Sequence, residues 1–138
     1  MGMVTANIEL VNLEDKLMAK NKVIPDSSIR RISVSALVDS GAYFLAINEN
    51  IKEQLGLVSL RKVPALANNT VVSLDMVGPI EVLFENRTAT VDAMVLPGDA
   101  EVLLGAIPME AMDVLVDPRR QKLIVNPEHP ILPQYSLK

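Results

Sequence analysis

Asp39 closes the apolar run Ala36-Leu37-Val38 and is followed by Ser40, Gly41 and Ala42. A carboxylate at the end of an apolar strand is unfavourable unless hydrogen-bond donors or a shared proton compensate it. Ser40 supplies a hydroxyl that both donates and accepts. Gly41 permits a tight turn and leaves its amide unobstructed beside the carboxylate. A loop of this composition holds a carboxylate in a fixed orientation, and the chemistry it offers is carboxylate chemistry.

The rest of the composition removes the main competitors. Among 138 residues there is no cysteine and a single histidine, His129. Thiol catalysis, disulfides and thiolate metal sites are therefore excluded, and so is any multi-histidine metal site. A Ser-His-Asp relay would have to use His129, which lies among Pro127, Pro130 and Pro133 and reads as exposed and inert. Glu81, Glu85, Asp92, Asp99 and Glu101 lack the spacing of a metal-binding loop. No metal and no cofactor is expected. The net charge is −4, the basic residues are scattered and aromatic residues are 3%, which argues against a nucleic-acid partner. No apolar stretch approaches the roughly 18 residues of a membrane span. No secretory signal is visible at Met1–Thr5, so no membrane association and a cytoplasmic location are expected.

The elements that must position Asp39 follow from a dominant period of two. Val4, Ala6, Ile8 and Leu10 mark a first strand, and Ile32, Val34, Ala36 and Val38 a second. Between them residues 12–29 are polar; Leu13, Leu17 and Met18 allow a short helix, but the segment reads mainly as a long exposed loop or insertion. Asn48 is placed to cap a helix over 49–55, with Gly56 at its C-terminal end. Strand-like runs follow at 58–66, 70–77, 80–85 and 89–96. Asn68-Asn69, Gly78-Pro79, Asn86-Arg87 and Pro97-Gly98 punctuate them as turns. Val102-Leu103-Leu104-Gly105 is a short buried strand before a helix at about 108–112, with Pro108 in its first turn. Strands at 114–116 and 122–125 precede a proline-rich, extended tail over 126–138. Residues 1–138 make one domain of the all-β class, a small closed barrel-like lobe with one or two short helices. Strand, Gly-Ala and helix occur twice, around Asp39 and around Gly105, as two copies of one small unit.

With these residues in order, the chain resembles the retroviral-type (retropepsin-like) aspartic proteases, single-lobe relatives of pepsin, as a member of bacterial or archaeal type. Their signature of two apolar residues, Asp, Thr or Ser, Gly and Ala is matched by Leu37 to Ala42. A second signature, two apolar residues and Gly before a helix, is matched by Leu103-Leu104-Gly105. The resemblance covers roughly residues 3–125. It implies an endopeptidase in which water is activated between two Asp39 carboxylates, one from each subunit of a homodimer. Ser40 then hydrogen-bonds across the dimer, and Gly105 lets the second unit pack behind the loop of Asp39 to Ala42. The partners it implies are a second copy and a peptide or protein substrate.

The family covers its site with a β-hairpin flap, here 58–66 with 70–77 and its tip at Ala67-Asn68-Asn69-Thr70. Family tips usually carry glycines, so Asn68-Asn69 reads equally as a working flap or as a plain hairpin turn. The family's buried Asp–Arg pair is replaced by Tyr43 and Ala106. These departures keep a second reading open, a peptide-binding or dimerisation module with the same fold and little or no catalysis.

Overall fold

The computed structural model describes residues 3–137. Its first strand, β1 (Thr5–Asn12), buries Ala6, Ile8 and Leu10, the alternate residues of the period-two run. Asn12 then turns the chain, because its side chain accepts from the Asp15 amide at 3.0 Å and caps helix α1 (Leu13–Lys20). The other end of the Asn12 amide donates to the Leu55 carbonyl at 2.7 Å. Residues 12–29, expected mainly as an exposed loop, thus contain a helix and a single 3₁₀ turn at Asp26–Ser28. Only Asp15 and Ala19 of α1 are buried, so its apolar stripe is too thin to announce itself.

β2 (Arg31–Val38) pairs antiparallel with β1 and carries the chain to Asp39. β3 (Leu45–Asn48) follows, and the Asn48 side chain accepts from the Ile51 amide to cap α2 (Glu49–Leu55). The helix stops at Gly56, which holds φ +62°. An added Cβ there would lie 1.8 Å from Nη1 of Arg30, whose guanidinium grips Asp15 at 2.8 and 2.9 Å. Those hydrogen bonds hold the buried Asp15 carboxyl below the usual carboxylate range. Gly56→Ala is therefore expected to destabilise by about 1–3 kcal/mol, from left-handed strain and a displaced Arg30. Urea unfolding measures the loss, and carboxylate NMR should show Asp15 titrating at higher pH in the variant.

A long hairpin joins β4 (Val58–Ala67) to β5 (Thr70–Phe84), and β6 (Arg87–Leu96) returns antiparallel to β5. Gly78-Pro79, expected as a turn, lies inside β5 as an irregularity where the β5–β6 register slips between Val77 and Ile80. The glycine serves close approach: a Cβ there would lie 2.6 Å from Oδ1 of Asp92 on β6. Arg87, expected in the following turn, instead opens β6 opposite Phe84 and is fully buried.

β7 (Leu103–Leu104) runs parallel to β2 and antiparallel to β3, wedged between them. α3 (Ala106–Met112) starts directly after Gly105, and β8 (Val114–Asp117) pairs with β9 (Lys122–Val125) as a separate two-stranded sheet. The seven-stranded sheet runs β1-β2-β7-β3-β6-β5-β4, and β1 also pairs with β5, so the sheet closes on itself around the core. The class is the expected all-β one with a closed lobe, and the described residues include three short helices rather than one or two.

Candidate active site

The geometry of Asp39 is set by two neighbouring strands. Leu37 and Val38 lie in parallel register with Leu103 and Leu104, so Asp39 leaves β2 just where Gly105 leaves β7. The Asp39 amide donates to the Leu104 carbonyl at 3.0 Å and the Ala42 amide to the Asp39 carbonyl at 3.1 Å, closing a tight turn. Inside this turn the Gly41 amide donates to Oδ1 of Asp39 at 2.9 Å. A Cβ on Gly41 would sit 3.2 Å from that oxygen, so a side chain here would press on the carboxylate and shift it by a few tenths of an ångström. The carboxylate is half-buried and oriented by a backbone donor, while Ser40 and Gly41 are exposed. Among the described residues the Ser40 hydroxyl has no hydrogen-bond partner within the chain.

Gly105 buttresses the loop from behind. An added Cβ would lie 2.5 Å from the Phe44 carbonyl oxygen, 2.7 Å from that of Ala42 and 2.7 Å from the Tyr43 carbonyl carbon. Just beyond it, the Ala106 and Ile107 amides donate to the Ala42 and Tyr43 carbonyls, both at 2.8 Å. Of the residues singled out from sequence, Asp39, Ser40, Gly41 and Ala42 thus form one compact turn, and Gly105 packs directly against it.

A cleft of about 470 Å³ lies between this loop and the hairpin, walled by Ala42, Phe44, Val63, Met76 and Met94. A second hollow of about 260 Å³ shares Phe44, Arg61 and Met76 with it and extends toward Asp92 and Ile107. Ala67, Asn68, Asn69 and Thr70 are exposed at the end of the hairpin, beyond the residues that wall the cleft. Asn68 and Asn69 have φ of +52° and +63°, and Ala67 pairs with Thr70. The tip is therefore a two-residue turn of the kind asparagine tolerates.

The far end of α3 is anchored by residues that sequence reasoning passed over. Asp113 follows the helix with φ +55° and gathers the tail around it. It accepts from Asn126 Nδ2 at 3.0 Å and the Gln134 amide at 3.1 Å, and Oδ2 meets His129 Nδ1 at 2.7 Å. Arg87 lies 3.7 Å from Oδ2 and also donates to the His129 carbonyl. His129, expected to be exposed and inert, is instead part of this cluster, and the tail is pinned rather than merely extended. A proline spacing in the tail signals turns but not the carboxylate that organises them.

The hydrogen bond from Asn126, then that from Gln134, hold the Asp113 carboxyl down at about 2, against 3.8 ordinarily. A depressed folded-state value contributes stability above the unfolded value, and that contribution is lost as pH falls from about 4 to about 2. Asp113→Asn should therefore show a shallower loss of stability across that window than the parent, measured by urea unfolding at stepped pH. Equal slopes would show that the cluster is not coupled to folding.

Among the described residues no group of three acidic or histidine side chains is arranged to hold a metal, and no helix is long and apolar enough to cross a membrane. No family model matches the sequence. No curated protein matches it either. Among solved structures, the retroviral protease-like domain of Ddi1 from Leishmania major is similar, with a TM-score of 0.57 and 15% identity. The match covers 92% of this chain and 90% of that one. The likeness is one of fold, and the fold is retropepsin-like.

Proposed function

We propose that the chain is an aspartic endopeptidase that works as a homodimer through Asp39 of each subunit. The observation that carries this reading is the turn itself. A carboxylate held by the Gly41 amide stands on an exposed loop that Gly105 fixes from behind, in a retropepsin-like fold. One such loop holds one carboxylate, and a twofold pairing of identical surfaces supplies the second. The surroundings support that pairing: Tyr43, next to the loop, is 73% exposed and Ile107 is 44% exposed.

Two carboxylates face to face do not both ionise, so the dyad holds one proton between them, as is general for aspartic proteases. The ionised member takes a proton from water as the oxygen attacks the peptide carbonyl. The protonated member hydrogen-bonds the carbonyl oxygen and gives up its proton as the tetrahedral intermediate forms. On collapse the C–N bond breaks and the protonated carboxyl gives its proton to the leaving amine. A hydroxyl of the tetrahedral intermediate gives its proton to the other carboxylate as the new carboxyl group forms, so the dyad is again singly protonated. No covalent enzyme intermediate forms. In this reading Ser40, exposed and without a hydrogen-bond partner among the described residues of one chain, bonds across the dimer and stiffens the dyad.

A specific feature favours a second reading. The hairpin tip has no glycine, and both its asparagines already occupy the left-handed region, which suits a fixed clamp that holds an extended peptide by strand addition without cutting it. Mass-spectrometric cleavage mapping of a diverse peptide library from about pH 4 to 7, with the parent and Asp39→Asn in parallel, separates the two. Discrete cuts that vanish in the variant support the peptidase. No cuts from a folded dimer that binds peptides support the clamp.

A further inference from the structure

We propose that Arg61 reads a carboxylate of the bound peptide, so that the site selects an acidic side chain two residues from an apolar one. The proposal rests on the reading of the cleft as a peptide site, whether or not the peptide is cut.

Arg61 lies on β4 where the β4–β5 register slips between Ser59 and Arg61. A slip of this kind re-aims the side chains beside it. Beyond it the hairpin alternates. Val63, Pro64, Ala65 and Leu66 line the cleft with Arg61, Val63 and Ala65 being the less exposed of them, while Lys62 turns away to Asp75 at 2.9 Å. Lys62 is therefore already engaged by a carboxylate, and Arg61 is not comparably engaged. Its nearest carboxylate is Asp92, at 3.8 Å between Nη1 and Oδ2, too long for a hydrogen bond. Among the described residues its guanidinium donates no hydrogen bond, and 56% of the side chain is exposed.

A guanidinium is a planar fork of five donors that matches a carboxylate with two parallel hydrogen bonds. Here that fork stands where the two hollows adjoin, since Arg61 lines both. The remaining walls of the larger hollow are mostly apolar, with Phe44, Val63, Met76 and Met94 suited to an aliphatic or aromatic side chain. In an extended peptide, residues i and i+2 point to the same side. A peptide that fills the larger hollow with one side chain and runs on toward the smaller hollow brings its second neighbour to the guanidinium at their shared wall. Asp92 competes weakly for Arg61, because an incoming carboxylate makes the close contact that Asp92 does not.

The test compares paired peptides at pH 6, where a glutamate side chain is ionised. Each pair carries an apolar residue with Glu or Gln two positions away, and each is made with a free and an amidated C-terminus. Cleavage efficiency is read on the parent, Arg61→Met, Arg61→Lys and Asp92→Asn. Affinity for the same peptides is read by fluorescence anisotropy on Asp39→Asn, alone and combined with Arg61→Met. The parent should prefer Glu over Gln by about tenfold, the scale of one hydrogen-bonded charge. Arg61→Met should lose the preference, Arg61→Lys should keep part of it, and Asp92→Asn should raise it.

Equal handling of Glu and Gln by the parent overturns the proposal, as does a preference that survives Arg61→Met. A preference that follows only the free C-terminus assigns the fork to a chain end and overturns the side-chain version. Glu-selective binding without any cutting leaves the role of Arg61 standing and overturns the peptidase reading. Cutting without Glu selectivity does the reverse, and neither cutting nor binding overturns both.

Discussion

Asp39→Asn is expected to reduce peptide hydrolysis by at least about 10⁴-fold, the loss seen when one member of a catalytic unit is removed. Asparagine is nearly isosteric, and its side-chain oxygen still accepts from the Gly41 amide, so the turn keeps its shape. What disappears is the exchangeable proton: an amide neither takes a proton from water nor lends one to the carbonyl. Thermal melting and sedimentation of the variant should match the parent, which separates lost chemistry from lost fold. The dimer requirement makes a sharper version possible. In mixtures of parent and variant subunits that exchange freely, activity should fall as the square of the parent fraction, because a mixed dimer carries one carboxylate. A linear fall would mean that a single Asp39 suffices, and the dyad mechanism would be wrong.

Gly105→Ala should combine a stability loss with a catalytic one. The new methyl meets three backbone atoms of residues 42–44 at 2.5 to 2.7 Å. Backbone does not yield as the end of a flexible side chain does. The loop must move away from β7, and Ala106 and Ile107 lose their hydrogen bonds to Ala42 and Tyr43. Overpacking of this kind costs about 1–3 kcal/mol, with the upper end expected here because no side chain is available to rotate. A displacement of about 1 Å in the loop that carries Asp39 is enough to lower turnover by about 10²-fold. Under conditions where the variant is still folded by circular dichroism, its turnover should therefore remain far below the parent's. Parent-like turnover in the folded variant would show that the buttress is structural only.

Local chemistry explains what the sequence could reveal. Asp39 to Ala42 was readable because the constraints act within four residues: strand end, hydroxyl, glycine amide. Asn48 and Gly56 were readable for the same reason, as a cap and a stop one helix apart. The Asn68-Asn69 turn follows from asparagine's tolerance of the left-handed region. The arrangement around Asp113 was not legible, since Arg87 and His129 reach it from 26 residues upstream and 16 downstream. A lone arginine after a turn carries no mark of burial, because arginine is ordinarily exposed and the compensating partners are distant in sequence. Helix α1 was half visible. Its cap at Asn12 and its acidic first turn, Glu14 and Asp15, were present, but its buried face is a carboxylate and an alanine rather than an apolar stripe. Gly78-Pro79 misled because the pair usually breaks a strand, whereas here the glycine makes room for Asp92.

The hairpin over the cleft shares β5 with the closed sheet, where β1 and β6 both grip it. Mechanically it is a cantilever. The register slips beside Arg61 and Val77 interrupt the ladders at its root, and from Arg61 to Ala67 the two strands are paired without interruption. A beam of that form deflects by rotating at its root. Seven residues of strand span about 23 Å, so a root rotation of about 10° carries the free end through about 4 Å. Arg61 sits at the fulcrum, where such a rotation displaces a residue least, so its place beside the cleft is kept while the free end moves.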